Sequence, residues 1–511
     1  MTTKTSLLSA VLIIIFSTLS SINASAQNNE DVFEAYRQKV NSQFNERKQA
    51  NDNLFKSYRD SINNEFSKYL ERRWEEMSLS KSFPNPFKPE PEPVVDNTPV
   101  TSSTPLPHVE PKPEPAPEPA PEPTPVAPVI EPAPAPAPVP TPVPTPVPAP
   151  AEQTFKFDFF GAICKVNLPN PKTFKVQSTS KEDIAAAWKT ISSGPYDAFI
   201  NDCTQYRKSL NLCDWGTYQF VHEASKAYFG NPDSNESAMF QMYALSQLGY
   251  KLRLCKQNNR LISVIAFQEK IFAVPYLTIE GTEFYFLGPK LTDTSIQLCD
   301  FSFPDEKRAS MRVNVLPNLP SKATPKRSIK SRAYPNVTAS ISVNNNLINF
   351  MDTYPCCSWE LFAEASLSQN VKDQLYPSLK KTIAGLSEKD AANILLNLIQ
   401  TGFEYKTDGD QFGREKTFFG DEPFFYPYCD CEDRSILFAI LVKDLLKLDV
   451  VLLDYPTHIA TAVCFNEKIT GDYFDIDGKK YIICDPTYIG APIGKSMPDM
   501  LKLQANILRI R

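Results

Sequence analysis

The chain has 511 residues, enough for about three domains, and carries 53 basic against 59 acidic side chains. This mildly acidic balance argues against nucleic acid or an anionic membrane surface as a partner. All eleven cysteines follow residue 160. Their odd number leaves at least one thiol unpaired, but the sequence does not give the pairing of the others.

Residues 1–26 have the pattern of a secretory signal peptide. Lys4 provides a basic start, residues 7–19 are mostly apolar, and Ala24-Ser25-Ala26 matches an A-x-A cleavage site. The apolar stretch is short beside the roughly 20 residues of a membrane span. We therefore expect an exported protein, periplasmic or extracellular, with no integral membrane span after cleavage.

Residues 27–80 are predicted to form one amphipathic helix. An aromatic residue recurs every 11 positions, at Phe33, Phe44, Phe55 and Phe66. An 11-residue period keeps these side chains on one stripe and favours a right-handed, coiled-coil-like supercoil. The stripe needs a partner surface. It could self-associate with a second copy or pack on the globular part of its own chain, and the sequence leaves both open.

Residues 81–152 are predicted to be a proline-rich linker. They contain 27 of the 46 prolines, which alternate with Ala, Glu, Val and Thr. Such a tract favours extended polyproline II, at about 3.1 Å per residue. We expect a stiff spacer between the helix and the globular part.

The remaining sequence contains two segments of similar pattern, which divide it into residues 153–322 and 323–511. Each segment runs through a helix, two strands, an Ile-x-Gly turn, a strand and a closing x-Pro. The first begins at Asn235 and closes at Gly288; the second begins at Cys431 and closes at Asp485. We predict two copies of one α+β fold, with helices packed on one side of an antiparallel sheet.

The three histidines limit where imidazole chemistry can occur. His108 lies in the proline tract, and His222 lies in an apolar helix and is interpreted as structural. His458 remains, at the start of a predicted strand. Cys431 begins an apolar helix, where free N–H groups favour a thiolate and can bind an oxyanion.

A carboxylate is needed to orient such an imidazole. Asp485, which precedes Pro486 at a strand end, and Asp475 both follow His458 in the chain and are the candidates. An oxyanion hole would use the backbone N–H of Cys431 and one upstream donor, for which Gln411 is a candidate. No cofactor or metal is predicted, because the histidines are scattered and no C-x-x-C pair occurs.

The residues around this thiol resemble a known family. The run 428–435, Tyr-Cys-Asp-Cys-Glu-Asp-Arg-Ser, resembles the G-D-C-E-D-x-A motif of bacterial transglutaminase-like cysteine proteinases, and Asp485-Pro486-Thr487 resembles the D-P-T of that superfamily. The resemblance implies a papain-like fold with Cys431 as nucleophile, His458 as base and then acid, and Asp485 as the orienting group. Two residues depart from the motif: Cys429 replaces its glycine and Ser435 its alanine.

These observations predict an exported cysteine hydrolase, a peptidase or amidase acting on protein or cell-wall peptide amides through a thioester. A protein cross-linking acyltransferase and a catalytically silent binding module on a stalk are the alternatives. The first copy has Asn235, Arg260 and Gly288 at the three positions of the proposed triad. It is therefore predicted to be a degenerate, non-catalytic copy.

Overall fold

The computed structural model describes residues 29–86, 98–109, 154–170, 172, 174–288 and 290–511. The predicted signal peptide and the greater part of the proline tract lie outside the described residues. Residues up to Glu65 form one compact unit and residues from Phe66 to Arg511 another. The predicted segments 153–322 and 323–511 thus belong to the same compact unit.

Helices and strands alternate in blocks along the chain. The first blocks are α1 (Asn29–Leu70), β1 (Glu75–Ser78), β2 (His108–Val109), β3 (Thr154–Phe159), β4 (Ala162–Asn167), α2 (Lys181–Ser193), α3 (Asp197–Ser209), α4 (Asp214–Phe229), α5 (Asn235–Gln247), β5 (Leu252–Gln257), β6 (Arg260–Ala266), β7 (Tyr276–Ile279), β8 (Thr282–Tyr285) and β9 (Ser295–Cys299). The later ones are β10 (Arg327–Lys330), β11 (Thr338–Ile341), α6 (Asn345–Met351), α7 (Trp359–Glu364), α8 (Gln369–Ile383), α9 (Glu388–Gly402), β12 (Glu404–Tyr405), α10 (Asp408–Phe412), β13 (Tyr428–Cys429), α11 (Cys431–Leu446), β14 (Asp449–Tyr455), β15 (His458–Cys464), β16 (Tyr473–Ile476), β17 (Lys479–Cys484) and β18 (Ala505–Arg509). The predicted mixed α+β class is confirmed.

Helix α1 ends earlier than predicted. The carbonyl of Leu70, its last residue, accepts a hydrogen bond from Trp74 Nε1 at 3.0 Å. The next residues form β1, which pairs antiparallel with β9. The prediction of helix to residue 80 is therefore wrong for this stretch, because the open edge of a sheet offers backbone partners that a local pattern does not show.

The aromatic stripe of α1 differs along its length. Near the C-terminal end, the ring of Phe66 lies 4.5 Å from Trp188 and 5.0 Å from Phe301, so this end packs on the chain's own globular part. In the unit that ends at Glu65, Phe44 and Phe55 are 66% and 67% exposed. Self-association through these residues stays a prediction.

Two six-stranded sheets share one strand order. The first runs β1-β9-β5-β6-β8-β7 and the second β2-β18-β14-β15-β17-β16. Each is an added edge strand followed by the last, first, second, fourth and third strands of its own segment. The pairs are antiparallel except β2 with β18. This is the arrangement that two copies of one unit would produce.

One turn recurs in both sheets. Glu280-Gly281 joins β7 to β8 with φ of 48° and 77°, and Asp477-Gly478 joins β16 to β17 with φ of 52° and 73°. Two positive φ values define the type I′ hairpin, which matches the twist of the strands it connects. The x-Gly pairs seen in the sequence therefore fix the same tight turn twice.

One helix packs on each sheet and positions the candidate site. Helix α5 packs on β5 and β6, and α11 packs on β14 and β15. The stretch of α11 from Cys431 to Val442 is buried throughout, since α7 and α9 cover its other side. A helix apolar on all sides is typical of such a sandwiched position.

Part of the predicted linker belongs to the second sheet. Strand β2 pairs in parallel with β18, and Leu106 is 6% exposed in the core of that sheet. The N–H of Leu106 donates to Tyr473 O at 2.8 Å. Treating all of residues 81–152 as a spacer is therefore wrong, because alternating proline leaves free N–H groups and an edge strand tolerates proline.

All eleven cysteines lie among the described residues, and none is joined to another by a disulfide. In the described part of the chain, no helix is both long enough and apolar enough to cross a bilayer.

Candidate active site

Three elements bring Cys431, His458 and Asp485 to one corner of the second sheet. Cys431 is the first residue of α11, His458 the first of β15, and Asp485 follows the last residue of β17. Because β15 and β17 are antiparallel neighbours, the start of one lies beside the end of the other. Helix α11 is joined to the same corner by Ser435, whose Oγ donates to Ile459 O at 3.2 Å.

His458 and Asp485 form a buried pair. The His458 Nε2 to Asp485 Oδ2 distance is 2.9 Å, and the residues are 0% and 2% exposed. The other carboxylate oxygen, Oδ1, accepts the N–H groups of Thr487 at 2.8 Å and Tyr488 at 3.1 Å. An ionised carboxylate only accepts hydrogen bonds, so the proton of a neutral imidazole lies on Nε2 and Nδ1 carries the lone pair.

The free nitrogen of His458 is the unusual feature of this corner. Nδ1 is buried and has no hydrogen-bond partner among the described residues. Buried polar atoms without partners are few in native proteins and suggest a functional reason. An unprotonated Nδ1 in this position can accept a proton from a neighbouring group.

Cys431 is fully buried, with 0% exposure. Its thiol donates to Glu432 Oε2 at 3.2 Å. As the first residue of a 16-residue helix, it lies where unpaired N–H groups and the helix dipole favour negative charge. Rotation about χ1 of Cys431 would change the direction of the thiol without moving the backbone.

The structure distinguishes the two candidate carboxylates. Asp475 is exposed on β16, and β17 lies between that edge strand and β15. Asp485 is the carboxylate in contact with His458. The other two histidines lie elsewhere: His222 is on α4 with Nδ1 3.3 Å from Glu223 Oε1, and His108 is in β2 at the sheet edge.

Gln411, the candidate oxyanion donor, contacts the strand that precedes the candidate nucleophile. It is on α10, and its Nε2 is 3.5 Å from the carbonyl oxygen of Tyr428, three residues before Cys431. This contact is at the limit of a hydrogen bond, so little energy holds the amide in place. Its role as an oxyanion donor stays a prediction.

The two departures from the family motif are both buried. Cys429 is 2% exposed, and burial raises the pKa of its thiol to about 11. It is a free thiol. Ser435 is 0% exposed, and its hydroxyl connects α11 to β15 as described above. The hydroxyl therefore has a positioning role that an alanine at this position would lack.

A group of carboxylates surrounds the first turn of α11. Oxygens of Asp408, Asp430 and Glu432 lie within 4.8 Å of one another, all buried. Burial, together with the charge of Glu432, raises the pKa of Asp408 to about 8 and that of Glu415 to about 7. Oxygen ligands of this kind suit a hard divalent cation. The sequence prediction of no metal considered only histidine and cysteine ligands and overlooked this group.

The matching corner of the first sheet contains an amide instead. Asn235, the first residue of α5, donates from Nδ2 to Asn259 O at 3.2 Å and accepts at Oδ1 from Leu261 N at 2.8 Å. These two partners flank Arg260, the first residue of β6. A satisfied side-chain bridge thus joins helix and strand where the second copy has a thiol and an imidazole.

The strand register identifies the third equivalent position. Thr461 pairs with Cys484 in the second sheet, and Ile265 pairs with Tyr285 in the first. Extending the latter register toward the start of β6 places Gly288 at the position of Asp485. No carboxylate can be supplied from that backbone position.

Gln400 is a supporting residue that the sequence did not reveal. It is 2% exposed on α9, and its Nε2 approaches the carbonyl oxygens of Asp485 at 3.0 Å, Tyr488 at 2.7 Å and Ala491 at 3.1 Å. Its Oε1 accepts from Gly490 N at 3.1 Å. This amide fixes the loop that carries Asp485. The only sequence signal was a lone glutamine in an apolar helix.

Comparison with known proteins gives no relative: no family model, no curated protein and no solved structure matches this chain.

Proposed function

We propose that this protein is a transglutaminase-like cysteine hydrolase that cleaves peptide or protein amides through a thioester. The observation that supports this most is the buried His458–Asp485 pair beside the helix that begins with Cys431, in which Nδ1 of the imidazole has no partner among the described residues. A thiol at a helix start, a base and an orienting carboxylate are the parts that nucleophilic catalysis by cysteine requires.

The first step is proton transfer from Cys431 Sγ to His458 Nδ1. In the described arrangement the thiol donates to Glu432, so χ1 of Cys431 rotates to bring Sγ toward the imidazole. The resulting imidazolium is stabilised by Asp485, and the thiolate by the first N–H groups of α11. The side chains of Cys431 and His458 are both 0% exposed, so the structure must open locally before a substrate can enter.

Acyl transfer then follows from these positions. The thiolate attacks the amide carbon, and the carbonyl oxygen gains negative charge that the Cys431 N–H stabilises. The imidazolium of His458 returns its proton to the leaving amine as the C–N bond breaks. A thioester remains on Cys431, and a water molecule that gives its proton to His458 hydrolyses it to the acid.

The experiment measures the reactivity of individual thiols against pH. The full chain is labelled with iodoacetamide between pH 5 and 9, and each cysteine peptide is quantified by mass spectrometry. We expect Cys431 to be labelled well below pH 7, and His458→Ala to remove this low-pH labelling. A free thiol instead becomes reactive only near pH 8.5.

Another cysteine provides an internal reference. Burial raises the pKa of the half-buried Cys464, so its labelling should increase only at alkaline pH in every variant. Labelling of Cys431 that follows Cys464 and ignores His458→Ala would reject the hydrolase. A binding module with an inert thiol would then be the better explanation.

A further inference from the structure

A cavity of about 1020 Å³ lies behind the candidate active site and shares two residues with its support. Arg434, three residues after Cys431 on α11, and Gln400, which fixes the loop of Asp485, both line it. The remaining walls come from residues 324–332, which include β10, from residues 401–405, which include β12, from the segment 424–427, and from Ile489. None of the three triad residues lines the cavity.

The lining is strongly cationic, although the whole chain is mildly acidic. Its charged members are Lys326, Arg327, Lys330, Arg332 and Arg434 against Glu404 alone. Four of the five lie within residues 326–332, a short basic run that the overall charge balance conceals. A concave surface of one sign concentrates the field and attracts ligands of the opposite sign.

Two of the three arginines that line the cavity, Arg327 and Arg434, are held by carbonyl groups. Arg327 donates to the carbonyl oxygens of residues 423 and 427 at 2.8 and 2.7 Å, and also to that of residue 426. Arg434 donates to Phe403 O at 2.9 Å and approaches Gln400 O at 3.5 Å. Among the described residues, no carboxylate forms an ion pair with either guanidinium. Carbonyl oxygens satisfy hydrogen bonds but do not carry the full negative charge of a carboxylate partner.

Two buried polar atoms of cavity-lining residues lack partners among the described residues. Arg434 is 1% exposed, and its Nε makes no hydrogen bond there. The hydroxyl of Tyr405 is also buried and likewise makes no hydrogen bond to a described residue. The guanidinium carbon of Arg434 lies 5.2 Å from the centre of the Tyr405 ring. Stabilisation of the C-terminal carbonyls of α9 explains the Nη atoms of Arg434. It does not explain Nε or the Tyr405 hydroxyl.

We infer that this cavity binds an acidic peptide segment, whose carboxylates lie against Arg434, Tyr405 and the basic rim. The volume is that of a site for a ligand larger than one amino acid. Phe403 and Phe424 in the walls provide apolar contact for the peptide carbon atoms. The concave shape and the aromatic walls favour a single flexible chain. This inference goes beyond the proposed reaction, because binding requires neither the thiol nor the imidazole.

The test is calorimetric titration of the full chain carrying Cys431→Ala, which prevents turnover. The probe is a blocked hexapeptide of alternating glutamate and glycine, and its control replaces glutamate by glutamine. We expect the glutamate peptide to bind at least about tenfold more tightly, and its affinity to fall with added salt. Equal binding of the two peptides, or no binding of either, would overturn the inference.

Three variants locate the site. Lys330 and Arg332 are exposed on the rim, so the double variant Lys330→Gln, Arg332→Gln should fold normally and bind about tenfold more weakly. Tyr405→Phe removes a hydroxyl that bonds to none of the described residues, and it should weaken binding about threefold with unchanged thermal stability. The control, Lys380→Gln with Lys381→Gln, removes two exposed lysines that do not line the cavity and should bind normally.

A single-stranded oligonucleotide provides the remaining comparison. If it binds more tightly than the glutamate peptide, and Lys330→Gln with Arg332→Gln weakens it equally, the cavity is a nucleic-acid site and the inference is wrong. Since none of these measurements uses catalysis, an inert Cys431 would leave their outcome unaffected.

Discussion

The two sheets have the same strand order, but their matching corners contain opposite kinds of chemistry. In the first sheet, Asn235 donates one hydrogen bond and accepts another across the gap between helix and strand. In the second, Cys431 and His458 occupy the equivalent positions, and Nδ1 of the histidine has no partner in the described part of the chain. The same corner of the fold can therefore hold a satisfied amide or a buried imidazole nitrogen that the described residues leave without a hydrogen bond.

A second difference accompanies the first. Glu236, the residue after Asn235, accepts a hydrogen bond from Val176 N at 3.2 Å. Around Cys431, burial and mutual repulsion raise the pKa values of Asp408 and Asp433 well above their ordinary range. Functional sites often retain such unfavourable groups at a cost in stability.

Asp485→Asn should have the largest effect, on the reactivity of Cys431. Asn Oδ1 would keep the N–H bonds of Thr487 and Tyr488, so Nδ2 would face His458 and donate to Nε2. The imidazole proton then moves to Nδ1, which can no longer act as a base. We expect iodoacetamide labelling of Cys431 at pH 6 to slow by up to about 10⁴-fold, which is what the wrong tautomer costs a Ser-His-Asp triad.

Asp475→Asn is the matched control, because Asp475 is exposed on an edge strand. In this variant, the rate at which iodoacetamide labels Cys431 should equal the rate in the natural protein. If Asp475→Asn slows labelling and Asp485→Asn does not, the assignment of the third triad residue is wrong.

Asp408→Asn should stabilise the protein at alkaline pH by roughly 1–3 kcal/mol. Burial raises the folded pKa of Asp408 to about 8, whereas the unfolded value is near 3.9. The folded state therefore retains a proton that the unfolded state has lost, and natural stability decreases as pH rises from about 4 to 8. The variant has no proton to lose, and its amide oxygen can still accept from Lys416 N.

Thermal unfolding at pH 5 and pH 8, with EDTA to keep cations away from the carboxylates, measures this effect. The advantage of Asp408→Asn should be small at pH 5 and large at pH 8. Asp410→Asn, an exposed residue of the same helix, should show no such trend. An advantage that does not grow with pH would exclude a protonated Asp408 in the folded state.

Asn235→Ala should destabilise the protein by about 1–2 kcal/mol, because it leaves Leu261 N and Asn259 O without their partner. Cys431→Ala should cost less, since the hydrogen bond from the thiol to Glu432 is a weak one. Melting temperatures of the two variants test this order, with the exposed Asn314→Ala as reference. A larger loss for Cys431→Ala would remove the contrast between a satisfied and a reactive corner.

The smallest effect concerns the shared hairpin. Glu280 has φ of 48° in a type I′ turn, where asparagine is preferred, so Glu280→Asn should stabilise by about 0.5 kcal/mol. Asp477→Asn should be nearly neutral, because the gain from asparagine in the turn is offset by the loss of a surface ion pair with Arg509. Equal shifts in melting temperature for both variants would show that the two turns respond alike.

Local sequence patterns predicted the parts of the fold that depend on local forces. The Ile-x-Gly signals correspond to the two tight turns, and Cys431 and His458 begin a helix and a strand as expected. The mixed α+β class followed from the order of these elements. Each of these features is decided by a few consecutive residues.

Pairing between distant segments could not be predicted in the same way. Strands β1 and β2 have only four and two residues and are defined by partners more than 200 positions away. The carboxylates near Cys431 and the contacts of Gln400 with the Asp485 loop likewise join distant segments. The basic run 326–332 was visible in the sequence, but its meaning depends on Arg434, which the fold brings to the same cavity.

The addition of β2 to the second sheet changes what the proline tract can do. The tract leaves that sheet at Val109, and the described chain resumes at Thr154 in β3, within the same compact unit. The residues on either side of 110–153 therefore belong to one compact unit, so this segment does not link two separate bodies. A protease cut between residues 110 and 153 should therefore produce two fragments that stay together, with the shorter one donating an edge strand to each sheet.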